Sequence, residues 1–133
     1  MATHGEMEVP PPLHELESEV MELMWELGEA NVRRVLGELN ARAEKPRAYT
    51  TVMTIMARLD RKRLLSRRRE GRTDVYVANL SREEYLAARA QAEVSAVVAQ
   101  YGDEALVHFA RQMDSLDPQR RERLRRLAKR DPG

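Results

Sequence analysis

The stretch YTTVMTIMARLDRKRLLSRRREGRTDVYV, residues 49–77, determines the architecture of this chain of 133 residues. In its first half, apolar residues recur at steps of three and four, which predicts a helix over about residues 48–62 with one buried face. In its second half, strand-forming residues follow Glu70-Gly71-Arg72, which is typical of a hairpin tip. We therefore expect a helix that leads into a short β-hairpin. The helix positions expected to be buried are Val52, Ile55, Met56 and Leu59.

Two further helices are expected before this stretch. Residues 13–27 carry apolar side chains at helical spacing, and Gly28 provides a stop signal. Asn31 can cap the next helix, whose apolar face begins at Val32, and Pro46 prevents one continuous helix from there into the third. Three helices followed by a hairpin make a winged helix, a variant of the helix-turn-helix in which the third helix reads the major groove of DNA.

Positive charge is concentrated in this part of the sequence. The formal net charge of the chain is +1, but residues 1–41 carry a net −7, residues 42–73 a net +8, and residues 74–133 none. An arginine cluster alone is most often a solvated surface. Here, however, charge of one sign falls on one helix face and on the hairpin that follows it. This coincidence favours a surface that binds nucleic acid.

The outer face of the third helix has the side chains that a DNA-reading helix requires. A short polar side chain such as Thr54 can bond base edges and present a methyl group to thymine, while Arg58 and Arg61 can reach phosphates. The hairpin adds a cationic finger that can follow the backbone or enter the minor groove. The residues expected to contact DNA are Arg47, Tyr49, Thr50, Thr51, Met53, Thr54, Arg58, Arg61, Lys62, Arg67, Arg68, Arg69 and Arg72.

The C-terminal part of the chain is expected to form three helices. Ser81-Arg82-Glu83-Glu84 is a capping box, and the helix that it opens is expected to run to about Tyr101. Asp103 is expected to cap the next helix, and Asp117-Pro118 is typical of the start of the last one.

Helices of this size with few aromatic residues bury little surface by themselves, so we expect a second copy of the chain to complete their core. A homodimer places two reading helices against half-sites about one helical turn of DNA (~34 Å) apart, or a multiple of it. The alternative is that the same side chains pack onto the first domain of their own chain. The residues expected at the dimer interface are Val98, Tyr101, Leu106, Phe109, Ala110, Met113, Leu124 and Leu127.

The predicted fold class is mainly α with a small β-hairpin wing, an N-terminal winged helix being followed by a C-terminal three-helix dimerisation domain. We expect a flexible arm over residues 1–12, a DNA-binding domain over residues 13–80 and a dimerisation domain over residues 81–133. The expected partners are double-stranded DNA and a second copy of the chain.

Several other classes of function are disfavoured. The chain has no cysteine, which excludes disulfides, thiolate zinc sites and cysteine nucleophiles. His4, His14 and His108 lack metal-ligand spacing, so we expect no catalytic residue, no metal and no cofactor. No apolar run reaches the ~20 residues of a membrane helix, and no secretory signal is recognisable. A cytoplasmic location without direct membrane association is expected.

Two alternatives to a DNA-binding repressor stay open at this point. The first is a regulator that senses a small molecule in a pocket between the domains, near Trp25 and Tyr85, and is not controlled by proteolysis. The second is a winged helix that binds other proteins and has only weak, unspecific affinity for DNA.

The order and spacing of several motifs resemble the BlaI/MecI penicillinase-repressor family. They are LHELESEVMELMW at residues 13–25, YTTVMTIMARLDRKRLL at residues 49–65, Gly71-Arg72 followed by Tyr76, and the segment from Leu106 to Phe109. The resemblance implies a dimeric repressor on a palindromic operator that controls β-lactam resistance genes, together with a membrane receptor protease. It also implies release by cleavage of an asparagine–phenylalanine bond. The matching bond here is His108–Phe109, with histidine in place of asparagine.

Overall fold

The computed structural model describes residues 9–130, which form six helices and three short strands within that range. Within it, no helix combines the length and the apolar character that a membrane span needs. The elements, in chain order, are α1 (Glu15–Leu27), β1 (Glu29–Ala30), α2 (Val32–Arg42), α3 (Tyr49–Arg61), β2 (Leu65–Glu70), β3 (Thr73–Ala78), α4 (Arg82–Tyr101), α5 (Asp103–Asp114) and α6 (Pro118–Ala128).

The expected winged helix is confirmed. The buried faces of α1, α2 and α3 pack into one core, and the predicted positions of α3 are buried in it. The sheet lies against this core through Leu65 and Tyr76. Its strand order is β1-β3-β2, all antiparallel. The two-residue strand β1 was not predicted; it pairs Glu29 with Val77 and Ala30 with Tyr76.

The hairpin turns at Gly71-Arg72. Gly71 has a φ of 66°, whereas Arg72 has no positive φ, which is the pattern of a turn that requires φ > 0 only at its first central residue. The turn fixes the register, in which Glu70 faces Thr73 and Arg67 faces Tyr76. Because side chains alternate between the two faces of a strand, this register determines which arginines share a face.

Most of the predicted helix starts are confirmed. The side chain of Asn31 accepts from the N–H of Arg34, and that of Asp117 accepts from the N–H groups at the start of α6. Ser81 and Glu84 bond each other's backbone N–H in the expected capping box. The prediction for Asp103 is wrong, because Gly102 is the N-cap of α5 and Asp103 is its first residue. Its carboxylate still lies at the positive end of the helix dipole.

The chain divides into two compact units, one ending at Gln91 and the other beginning at Ala92. The first part of α4 therefore belongs to the unit that contains the winged helix. Residues 1–8 of the predicted arm lie outside the described residues. The backbone carbonyls of Pro10 and Pro11 accept hydrogen bonds from Arg89 and Tyr85, respectively. The flexible arm and the functional boundary between residues 80 and 81 stay predictions.

Candidate nucleic-acid interface

A groove of about 460 Å³ runs between the outer face of α3, the start of α2 and the hairpin formed by β2 and β3. The fold brings more than half of the residues expected to bind DNA into this groove, some from α3 and the others from the hairpin. These residues are Tyr49, Met53, Thr54, Arg61, Arg67, Arg69 and Arg72.

The polar face of α3 is exposed over most of its length. Met53 and Thr54 are exposed along the groove, and Thr50 and Thr51 are exposed in the first turn. Ala48 caps this helix without a side-chain hydrogen bond. The first turn of α3 therefore has backbone N–H groups without a side-chain acceptor, at the end of the helix where the dipole favours anions.

The arginines of the hairpin lie on two different faces. Arg67 and Arg69 share the face of Tyr76 and Asp74 and line the groove. Arg68 lies on the opposite face, where its guanidinium is 3.1 Å from Glu29 and 2.9 Å from Glu70. The three consecutive arginines therefore do not form one surface.

Arg67 is bound within the groove by the protein itself. Its guanidinium donates to the hydroxyl of Tyr76 at 3.4 Å and lies 3.2 Å from Asp60 and 3.6 Å from Asp74. Tyr76 and, after it, Asp60 raise the pKa of Arg67. Arg69 makes one ion pair with Asp74, at 3.4 Å. Within residues 9–130, the side chains of Arg61 and Arg72 make no ion pair and no hydrogen bond, so both are available to a ligand.

A buried carboxylate holds the C-terminal end of α3. Glu17 in α1 is 1% exposed, and its oxygens accept from Lys62 Nζ at 2.8 and 2.9 Å and from the N–H of His14 at 3.0 Å. Arg58 is 3.9 Å from the same carboxylate. Burial alone raises the pKa of Glu17, but these hydrogen bonds and the charge of Lys62 outweigh it, so the net shift is downward. Lys62 thus has a structural partner, and its contact with DNA stays a prediction.

Arg47 lies in the loop before α3. Its backbone N–H donates to the side chain of Asn40 at 2.7 Å, and its carbonyl accepts from the same side chain at 3.2 Å. The guanidinium is 4.0 Å from Glu19 and is exposed. The loop backbone is therefore fixed while the charged group remains accessible.

Arg33 was not among the expected DNA-binding residues. It lines the groove from α2, and its guanidinium lies 5.4 Å from the centre of the Tyr49 ring. The charge pattern did not single it out because residues 1–41 are acidic overall. Its place in α2 could have identified it, since the helix that precedes the reading helix crosses the DNA backbone in a helix-turn-helix.

The second unit has almost no core of its own. Among the described residues 92–130, Ala105 alone is buried. Most residues expected at the dimer interface are exposed, Tyr101 to 59%, whereas Val98, Met113 and Leu124 are partly buried. A second groove of about 380 Å³ lies here. It is lined by Val97, Tyr101, Glu104, Ala105, His108 and Phe109.

Trp25 and Tyr85, expected beside a sensing pocket in one alternative, contact each other. Their ring centroids are 5.6 Å apart. The indole N–H of Trp25 donates to the carbonyl of Leu80, and the hydroxyl of Tyr85 donates to that of Pro11. The indole N–H and the phenol hydroxyl are thus both bonded within the protein, and neither is left to bind a small molecule. Within the described part of the chain, no cluster of His, Asp and Glu could hold a metal ion; His4 lies outside it.

The sequence matches the profile of the penicillinase repressor family over residues 13–130. It is 38% identical to the transcriptional regulator BlaI of Mycobacterium tuberculosis over 117 residues, which cover 82% of this chain and 80% of that protein. It is 31% identical to the penicillinase repressor of Bacillus licheniformis, over 57% of this chain and 58% of that protein. The solution structure of the DNA-binding domain of the repressor BlaI superimposes with a TM-score of 0.50 at 29% identity. That match covers 59% of this chain and 92% of the domain.

Proposed function

This chain belongs to the penicillinase repressor family, and from that premise we propose that it represses transcription by binding double-stranded DNA through the groove of its winged helix. It is a regulator and not an enzyme. The observation that carries the proposal is the groove itself, in which Arg61 and Arg72 lack partners among residues 9–130 and lie beside an exposed row of short side chains. Contacts to phosphates require exposed cations, and contacts to bases require small polar groups that have no partner within the protein.

The groove supports a division of labour among its residues. Thr54 and Met53, exposed on α3, are the proposed base contacts in the major groove. Arg61, Arg69, Arg72 and the additional Arg33 are the proposed phosphate contacts. Thr50 and Thr51 would bind a phosphate together with the backbone N–H groups at the start of α3. Arg68, on the far face of the hairpin and paired twice, is the weakest candidate of the wing.

We propose further that the repressor is a homodimer held together by its second unit. The exposed apolar side chains of residues 92–130 have no core to enter among the described residues of their own unit. The groove lined by Val97, Tyr101 and Phe109 would receive apolar side chains of a second copy. A two-fold dimer presents its reading helices to two equivalent half-sites, so the operator would be palindromic.

Family membership also supports a proposal for regulation. The repressor would control genes of the β-lactam-resistance type in the cytoplasm and be released by proteolytic cleavage or by another disruption of the dimer. The proposed cleavage site, His108–Phe109, lies on exposed α5 and in the apolar groove of the second unit. Cutting there would divide the shared core, and the monomers would lose bivalent binding, which is worth about 100- to 10,000-fold in affinity. A membrane receptor would supply the protease.

Selection from a random-sequence DNA library tests the proposed function directly. The full chain is incubated with the library at about 0.15 M salt, a concentration at which purely electrostatic binding is weak. We expect enrichment of one inverted repeat, with half-sites separated by one helical turn or a multiple. A library that stays random after several rounds would contradict sequence-specific repression and favour a winged helix that binds proteins.

A further inference from the structure

The last helix, α6, has a charge distribution that the winged helix does not explain. Residues 118–130 contain seven basic residues and one acidic residue, whereas residues 92–117 contain one basic and five acidic residues. The second unit is thus divided into an acidic part and a strongly cationic one. The basic residues of α6 and its C-terminal end are Arg120, Arg121, Arg123, Arg125, Arg126, Lys129 and Arg130.

Few of these charges are neutralised by other residues in the described part of the chain. Arg126 is 3.8 Å from Glu122, but both side chains are more than 60% exposed, so the pair is worth little. Arg121 donates to the backbone carbonyl of Asp114 at 3.3 Å. Within residues 9–130, the side chains of the other five basic residues make no hydrogen bond and no ion pair, and all five are exposed.

This arrangement works against the stability of the isolated helix. Arg121 and Arg125 are four residues apart, as are Arg125 and Lys129, and like charges at this spacing repel each other. Arg120 and Arg121 also lie in the first turn, where the helix dipole disfavours positive charge. The dipole favours only the cations of the last turn. Helix stability therefore does not account for the charge, and an external anion would relieve the repulsion.

Three of the cations point away from the apolar side of the helix. At about 100° per residue, Leu124 and Leu127 lie on one side, and Arg125, Arg126 and Lys129 on the other. If the leucines enter the proposed dimer core, the cationic side is left for a different partner.

We infer that α6 is a second DNA-binding surface, one that contacts the phosphate backbone without reading sequence. The inference rests on the proposed function, because that function supplies the polyanion. Once a winged helix is bound, the chain connection holds α6 near the same duplex at a high effective concentration. Contacts by exposed cations to phosphates would add affinity and salt dependence but no base preference.

The test compares variants of the full chain on a duplex of mixed sequence, titrated at several salt concentrations. The triple variant R125Q/R126Q/K129Q removes three positive charges from the cationic side of α6. Two variants serve as controls. R125K/R126K keeps the charge of α6, and Arg111→Gln removes one exposed charge from α5 instead. We expect the slope of log K against log salt to become shallower by about 0.9 for each phosphate that the triple variant no longer binds. The two controls should behave as wild type, and sedimentation should show the same oligomeric state for all four proteins.

An unchanged slope in the triple variant, with binding by the wild-type protein intact, would overturn the inference and leave the proposed function standing. A changed oligomeric state without a changed slope would also overturn it, because the cations would then pair with acidic residues of a second copy. A wild-type protein that binds no duplex at any salt concentration would remove both proposals.

Discussion

Neighbouring arginines of the wing are chemically identical but have different surroundings. Arg69 lines the groove and has one ionic partner, Asp74, whereas Arg68 lies on the opposite face between Glu29 and Glu70. We expect Arg69→Ala to weaken binding to all DNA sequences and to lower the salt slope by about 0.9. Arg68→Ala, the matched control, should change the slope little. Equal effects of the two substitutions in a fluorescence-anisotropy titration would show that the face of the hairpin does not matter.

Unlike Arg69, Thr54 is expected to contribute to sequence preference and not to general affinity for DNA. It is exposed on α3 inside the groove, and its hydroxyl and methyl groups suit a base edge. Thr54→Ala should cost about 1–3 kcal/mol on the selected operator and nothing on a mixed-sequence duplex. Competition between the two duplexes measures the difference. A uniform loss on both would make Thr54 a phosphate contact instead.

Glu17 gives a prediction about stability and its pH dependence. Because its pKa is lowered in the folded state, the carboxylate stabilises the fold above the pKa of an unfolded glutamate, and this contribution is lost as the pH falls through the folded pKa. Glu17→Gln should cost roughly 1–3 kcal/mol at neutral pH, and the difference from wild type should shrink below about pH 4. Urea unfolding at several pH values measures it.

The exposed Glu15, in the same turn of α1, provides the control. Glu15→Gln removes the same charge without breaking a buried contact and should have little effect. A Glu17→Gln variant as stable as Glu15→Gln at neutral pH would contradict the role assigned to the Glu17–Lys62 pair.

Residue types and spacing indicated which side chains could bind DNA, but not their partners. The helical period correctly separated the buried Val52 and Leu59 from the exposed Thr54. The pairing of Lys62 with Glu17 joins positions 45 residues apart in the sequence, and Arg33 reaches the groove from another helix. Such contacts depend on how the helices pack, which local patterns do not specify.

The individual elements followed their local signals closely. Three helices begin where the sequence predicted, at the caps Asn31, Ser81 and Asp117. Each cap side chain accepts a hydrogen bond from an N–H group of the first turn. The strand β1 escaped prediction because two residues carry no alternation and form a strand only by pairing with β3. The helix α5 begins at Asp103 itself, because Gly102 is its N-cap. The predicted cap at Asp103 would have started the helix one residue later.

The same substitution, glycine to alanine, is expected to have opposite effects on stability in the wing and in α2. An added Cβ meets nothing within 4 Å at either Gly71 or Gly37, so only the backbone matters. Gly71 has a φ of 66°, and Gly71→Ala should destabilise the fold by about 1–3 kcal/mol, the cost of holding a residue with a Cβ in a sparsely populated backbone region. Gly37 lies inside α2, and Gly37→Ala should stabilise it by about 0.5–1 kcal/mol. Thermal unfolding of both variants checks the signs, and a stabilising Gly71→Ala would contradict the turn.

At the scale of the whole molecule, the proposed mode of repression needs two copies of the chain. The winged helix has a complete core, which its helical periodicity made predictable. The second unit leaves its apolar side chains exposed, because a unit of this size buries too little surface to form a core of its own. Phe109→Asp places a charge in the groove of this unit and should yield monomers, while Phe109→Leu should remain dimeric, as sedimentation would show. A dimeric Phe109→Asp protein would place the interface elsewhere.

One measurement tests DNA binding and dimerisation together. It compares the affinities of the wild-type chain and of Phe109→Asp for the selected inverted repeat and for its isolated half-site. We expect the wild-type protein to bind the repeat about 100- to 10,000-fold more tightly than the half-site, and Phe109→Asp to bind both with the affinity of the half-site. Equal wild-type affinities for the two duplexes, or an undiminished preference for the repeat in Phe109→Asp, would contradict repression by a dimer joined through its second unit.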